Sequence, residues 1–585
     1  MSSTQPSTQP SSPKYMNPHH CILESAILEF HTKTDKIPQE LLCNMDTDPN
    51  TSFGCLEIHV GETTINIDPV FFLFSIDESG SMSEMCKDGK TKMEHIHFTM
   101  NQMLLYFAEN PEAIIYVHVN AFDDKVRTVI ETTQVTSQNV HEIIEKIKKI
   151  RPQGSTNFDS ALKSANQIMQ NHAKTIEETC EIPHRIVHIF LTDGNPTVGD
   201  CSESSLTSLV DDTFSNVFIA FGLDHNAILM NKFGNVGKNT TNYLVSELEF
   251  IGFVYGEIVH NHLFKVLDNT VLEIEEGSIY DWISNEWKTN LNISALSSES
   301  KKFYYVKSTH PYESRIKISG RPIDRFAGEY FEEYVDKLPD LIETSNTIVD
   351  VDLTKHILRL CTQRLLYEAR SYANREGEEE EEECINNPFP ILRRSHNINY
   401  NDDQYHHQDH HHHYLNNNDY DINDLKNLEP FPSIQPPKLE RNKTKMHMHN
   451  FNFPEMSEVS ETPEPSKLDS LKSKIKNHLK YMSDYLRETS NTNTNTNKNN
   501  NDQDKQFIKT LCDDMEIALK TIGTRNQQSY INARSSSQGR QQMYNVNIND
   551  DDTDNMDKTN NTIKDINNAY ATPSAIKLMR VFSDR

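Results

Sequence analysis

Between residues 68 and 265, near-continuous apolar runs alternate with apolar residues set at helical spacing. The runs are Val70 to Ile76, Ile114 to Val119, Ile186 to Leu191 and Val217 to Phe221. Between them Met93, Ile96, Met100, Met103, Leu104 and Phe107 recur three and four apart, as do Ile143, Ile144 and Ile147, and Phe158, Leu162, Ala165, Ile168 and Met169. An unbroken apolar run suits a strand buried on both faces, and an interleaved helical stripe suits the crossover that covers it. The pattern predicts an α/β unit over 68–265 with a doubly wound, mostly parallel sheet.

The flanks read differently. Leu56 to Val60, then Gly61-Glu62, then Thr63 to Ile67 predict a β-hairpin within 50–67, with glycine first in the turn. Val271 to Ile274, Phe303 to Val306 and Arg315 to Ile318 predict a small antiparallel β domain over 268–335. Residues 338–374 read as helix, running into the like-charge block Glu378 to Glu383. The rest, 375–585, reads as a mostly disordered tail, with a His-rich tract at His406 to His413, a Pro-rich stretch at 428–437 and an Asn/Thr tract at Asn491 to Asn501. Two helical islands interrupt it, 468–486 and 507–522, suited to pairing with each other, as a coiled coil would, or to docking on a partner. Residues 1–20 read as a disordered leader with no secretion signal.

Charge and composition narrow the function classes. Only 36% of residues are hydrophobic and the formal net charge is −29. An acid excess of that size argues against sequence-independent nucleic-acid binding and against an anionic membrane surface. No run approaches the ~18 consecutive apolar residues of a membrane helix. The nine cysteines are scattered, without a Cys-x-x-Cys pair, which fits reduced thiols in an intracellular, cytoplasmic protein.

The candidate chemistry gathers on three loops. Asp77-Glu78-Ser79-Gly80-Ser81 follows the first buried strand, Gly154-Ser155-Thr156-Asn157 precedes a helix, and Thr192-Asp193-Gly194 follows another strand. All three fall at the carboxyl edge of the predicted sheet, where open α/β folds bind ligands. Hydroxyls and carboxylates are hard oxygen ligands suited to Mg²⁺. The same residues also suit turns and helix caps. His118 and His188 read as hydrogen-bonded core histidines, Asp123-Asp124 as a solvated loop and Cys86 as a bystander. No nucleophile elbow or phosphate-binding lysine loop occurs.

Asp-x-Ser-x-Ser, a Gly-Ser-Thr-Asn loop and Thr-Asp-Gly, in that order, resemble the von Willebrand factor A domain and its metal-ion-dependent adhesion site. The resemblance implies that Ser79 and Ser81 ligate a metal directly, and Thr156, Asp77 and Asp193 directly or through water. It implies a divalent cation, Mg²⁺ with Mn²⁺ or Ca²⁺ as alternatives, whose open position takes an Asp or Glu of a partner protein. Phe221 to Asn226, Asn242 to Val245 and the helix Leu248 to His262 resemble the intracellular branch that carries a β extension. Gln538 to Gln542 and Tyr570 to Pro573 resemble tail segments of A-domain proteins from giant amoeba-infecting viruses. The expected function is a non-enzymatic, metal-dependent protein-binding module, with no nucleic acid and no membrane insertion. Alternatives are an adaptor for a ubiquitin-ligase or ATPase complex, a structural particle component with incidental metal, and a cryptic metal-dependent hydrolase.

Overall fold

The computed structural model describes residues 52–63, 65, 68–179, 182–222, 225–245, 251–293, 295–310, 313–323, 331–336, 354–386, 466–491, 498–524, 527–539 and 571–583. The predicted leader, the His406 to His413 tract, the stretch 428–437 and much of the Asn/Thr tract lie outside the described residues.

Strand β1 (Ser52–His59) finds its partner far away. It pairs antiparallel with β13 (Lys301–Ser308), Ser52 opposite Ser308 and His59 opposite Lys301. Thr64, Asn66 and Ile67 of the expected local hairpin lie outside the described residues; its first strand is continued toward β13, where the Val60 N–H donates to the Ser300 carbonyl and the Thr63 N–H to Ser298 Oγ. A lone two-stranded hairpin is marginal in water, whereas here Leu56 and Ile58 enter a shared core. That core lies between two antiparallel sheets. One is ordered β1-β13-β9 (Ser278–Asp281)-β10 (Glu286–Lys288). The other is ordered β11 (Asn290–Asn292)-β8 (Lys265–Glu275)-β14 (Arg315–Pro322)-β15 (Phe331–Asp336), with β12 (Leu296–Ser297) also on β8. The predicted β domain is thus completed by a strand that precedes the α/β unit in sequence.

The α/β unit is inserted between them. Its six-stranded sheet has the order β4 (Val126–Gln134)-β3 (Ile115–Phe122)-β2 (Val70–Asp77)-β5 (Arg185–Thr192)-β6 (Ser215–Phe221)-β7 (Thr240–Val245). All pairs are parallel except β3–β4. Along β2, Val70, Phe72, Phe74 and Ile76 point into one layer and Phe71 and Leu73 into the other, as period-two alternation demands. The first layer holds α1 (Lys92–Glu109), α2 (Val140–Ile147) and α6 (Ile251–Leu263). The second holds α3 (Phe158–Thr179), α4 (Glu203–Ser208) and α5 (Ala227–Gly234). His188 faces the second layer, bonded to Ser75 Oγ at 3.0 Å and Asn216 Oδ1 at 3.1 Å, and burial pushes it down to about 4. His118 bonds Thr132 and Asn120, so both are core histidines as expected.

Several described stretches after residue 353 are helical, the two expected islands among them. Helices α7 (Thr354–Asn386), α8 (Lys467–Asn491), α9 (Lys498–Thr521) and α10 (Gln527–Gly539) cover the outer face of the first β sheet. Cys55, Tyr280, Phe303 and Tyr305 meet Leu358, Ile475, Met482, Ile508 and Met515 in one core. The two expected islands, 468–486 and 507–522, are α8 and α9, and they pack against α7 within this chain. Helix α11 (Pro573–Ser583) docks on α6 and joins the core of the α/β unit through Leu578 and Phe582. Among the described residues no helix is long and apolar enough to cross a membrane.

Candidate metal centre

The carboxyl ends of β2 and β5 are adjacent because the two strands pair in register, Ile76 opposite Leu191. That register sets Asp77 beside Thr192, the residue before Asp193, so the two aspartates come from neighbouring strand ends. Both are buried, at 0% and 1% exposure. Asp77 Oδ1 accepts the Ser79 N–H at 2.8 Å and Oδ2 the Thr192 hydroxyl at 2.6 Å. Burial pushes the Asp77 carboxyl up to about 7 in spite of those hydrogen bonds. A lone carboxylate is costly in that buried position, and a cation beside it would offset the cost.

The hydroxyls form a chain toward the second carboxylate. Ser79 Oγ lies 3.1 Å from Ser81 Oγ, and Ser81 donates to Asp193 Oδ1 at 2.7 Å. Adjacent ligands of an octahedral ion at about 2.1 Å stand about 3 Å apart, so these spacings suit one small hard cation. A serine that gives its hydrogen to a carboxylate keeps its lone pairs for an ion.

The third loop is drawn in by its backbone. The Gly80 N–H donates to the Gly154 carbonyl at 3.2 Å. Gly154 has φ +67, and a Cβ there would stand 2.9 Å from Asp123 Oδ2 and from Asp124 Oδ1. Asp124 Oδ1 accepts the Ser155 N–H at 2.8 Å, so the Asp123-Asp124 pair shapes this loop, a role the solvated-loop reading missed. Thr156 is buried two residues on, its N–H on Thr197 Oγ1 at 3.0 Å and its carbonyl accepting from Thr197 and Val198. The five expected residues, Asp77 at the end of β2 and Ser79, Ser81, Thr156 and Asp193 on the loops beyond, therefore lie at one sheet edge. Among the described residues no three His, Cys, Asp or Glu side chains could hold a metal by themselves, so any ion here depends on the hydroxyls.

Two neighbours, Lys92 and Glu84, were not foreseen. Lys92, 11% exposed, donates to Asp193 Oδ2 at 2.8 Å and to Glu84 Oε2 at 2.6 Å. Burial would lower its basicity, but the hydrogen bonds to Asp193 and Glu84 prevail and raise it. Lys92 opens helix α1, where the helix dipole disfavours a cation. That breach of a local rule was the one sequence signal available. Glu78 faces away from the loop, and its buried carboxylate takes Arg127 Nε at 2.9 Å and Nη2 at 2.5 Å. Arg127→Met should lower stability by roughly 2–3 kcal/mol, less than for a fully buried pair because the guanidinium is half exposed. Urea unfolding checks this, and adding Glu78→Leu should restore most of the loss.

Residues 72–195 match the family model for the von Willebrand factor type A domain. The chain carries a von Willebrand factor type A domain. A human relative, inter-alpha-trypsin inhibitor heavy chain H6, is 28% identical over 166 residues, 27% of this chain and 12% of that protein's length. Among solved structures, a von Willebrand factor type A protein from Catenulispora acidiphila matches 55% of this chain and 75% of its own at 13% identity, TM-score 0.36. Proximal thread matrix protein 1 from the mussel byssus, in a form with a zinc-occupied adhesion-site motif, matches 35% of this chain and 52% of its own at 15% identity, TM-score 0.28. Type A domains are typically protein-interaction modules, some with a metal site.

Proposed function

We propose that the chain is a non-enzymatic, metal-dependent protein-binding module whose type A domain takes an Asp or Glu of a partner through a divalent cation. The observation that supports this best is the run Ser79–Ser81–Asp193 beside the buried, up-shifted Asp77. Ser79, Ser81 and Thr156 would hold the cation with Asp77 and Asp193. When bound there it supplies a coordination position for an outside carboxylate. The chain's own residues bind and orient. Thr192 and the Ser79 N–H fix the Asp77 carboxylate, and Lys92 fixes Asp193.

The rim also speaks for a protein partner. Met85 and Val198, 65% and 38% exposed, are two of the five large apolar side chains exposed among the described residues. Met85 follows Glu84, and the Val198 N–H bonds the Thr156 carbonyl, so they stand on separate loops of the site. An acidic residue with apolar neighbours fits that surface. The scattered thiols support an intracellular setting, and the tail resemblance an origin in a giant virus.

Calorimetric titration of Mg²⁺ and Mn²⁺ into the full chain tests the reading. Heat should appear in the wild type. It should weaken by more than about 100-fold in Asp77→Ala and in Ser79→Ala with Ser81→Ala, beyond the effect of losing an outer-shell group. Thermal melts should show both variants folded. A wild type silent toward both ions, with and without acetate as an outside carboxylate, would sink the metal reading and leave the structural-component one.

A further inference from the structure

Among the described residues, Lys92 is the cation whose ion pair falls on a carboxylate of the candidate site. Its ammonium is 2.8 Å from Asp193 Oδ2, and the other oxygen of that carboxylate, Oδ1, faces the Ser81 hydroxyl. Asp193 is fully buried, so this pair is poorly screened by water. On the solvent side Glu84, 57% exposed, takes the other Lys92 hydrogen bond at 2.6 Å.

Count the inner charges. Asp77 and Asp193 ionised contribute two negative charges and Lys92 one positive. A divalent ion would bring this inner set to a net positive charge, with an ammonium already on one of the carboxylates. A partner's carboxylate would return it to neutrality. Glu84 offsets Lys92 only from the solvent, where screening weakens it.

We propose that Lys92 is a resident counter-ion that couples metal and partner: it opposes a divalent ion bound alone and favours the ion and an external carboxylate together. The proposal rests on the metal-dependent reading above. Coupling of this kind is reciprocal, so the ion should tighten carboxylate binding by the factor by which the carboxylate tightens ion binding. Specificity would follow, since the site would fill with metal chiefly when an acidic partner is present.

The test uses the full chain, Mn²⁺ as the ion and acetate as the carboxylate, against chloride at equal ionic strength. Mn²⁺ affinity is read by calorimetry and by water-proton relaxation. Lys92→Met should bind Mn²⁺ alone at least tenfold more tightly than wild type, and acetate should enhance binding less than in wild type. Without metal its melting temperature should fall, because Asp193 loses its counter-ion, and Mn²⁺ should raise it by more than in wild type. Glu84→Gln, an exposed change that leaves the fold untouched, should act the other way: weaker Mn²⁺ binding alone and a larger acetate effect. Equal Mn²⁺ affinity in wild type, Lys92→Met and Glu84→Gln would overturn the proposal while leaving the metal reading intact. Mn²⁺ binding absent in all three, or unchanged by Asp77→Ala, would overturn both.

Discussion

Gly256→Leu should lower the unfolding free energy by about 3–5 kcal/mol and detach the C-terminal helix from the type A domain. Helix α11 lies so close to α6 that a Cβ on Gly256 would stand 2.5 Å from the Met579 backbone nitrogen and 2.7 Å from its Cα. One turn earlier, a Cβ on Gly252 would stand 2.8 Å from the Phe582 carbonyl oxygen. These neighbours are backbone, so no rotamer change can relieve the clash, and the helices must separate. Separation uncovers Leu578, Met579 and Phe582, now 6%, 2% and 0% exposed. Burial of such side chains contributes about 1.5–3 kcal/mol each, and overpacking alone would account for only part of the loss.

The start of α11 is anchored too. Thr572 Oγ1 accepts the Ala575 N–H at 3.0 Å, and the Glu299 carboxylate accepts the Ser574 N–H at 2.8 Å, so a detached helix also loses a cap and a favourable anion at its N-terminus. Urea unfolding followed by circular dichroism measures the loss. The decisive comparison is the same substitution in a chain lacking 571–585. There the clash partner is gone, so Gly256→Leu should change stability by less than about 1 kcal/mol, and the strong non-additivity would identify the contact. Equal losses in both chains would show that the added side chain disturbs the domain itself.

What the sequence disclosed follows from how local each signal is. The strands β2, β3, β5 and β6 were legible because burial on both faces leaves a continuous apolar run. Strand β4 was missed: it is an edge strand with Ile130 as its single fully buried position, so its pattern reads as polar. The partner of β1 lies about 250 positions away in the register Ser52 to Ser308, beyond any periodicity. Helix α10 buries Gln527, Ser529, Asn532, Ser535 and Gln538, so no apolar stripe announces it. That Asp77, Ser79, Ser81, Thr156 and Asp193 gather at one sheet edge was legible because each stands beside a strand end or helix start that an apolar run marks. Lys92 and Glu84 were not, since the bond from Lys92 to Asp193 spans 101 positions.

Gln538→Leu should destabilise the helical layer by roughly 3–6 kcal/mol, through the loss of two hydrogen bonds to buried charged groups. Arg359 is fully buried, and its Nε donates to Gln538 Oε1 at 3.1 Å. The same amide donates through Nε2 to Asp514 Oδ2 at 2.7 Å, and Asp514 is also fully buried. One neutral side chain thus bridges a guanidinium and a carboxylate, and each ion polarises the amide for the other. Leucine fills similar space but leaves both ions short of a partner in a dry interior.

The two tryptophans of the chain, Trp282 and Trp287, pack in this same core, and a Cβ on Gly539 would run into the Trp282 ring. Their fluorescence therefore reports the contact of α10 with the β sandwich directly. In urea the fluorescence midpoint should fall sharply for Gln538→Leu. Gln528→Leu is the control on the same helix. Its amide donates at 3.2 Å to the neutral Ala373 carbonyl. Its loss should therefore be near ~1 kcal/mol. A Gln538→Leu effect no larger than the control's would mean that the two ions find other partners, and the bridge would be incidental to the packing of the layer.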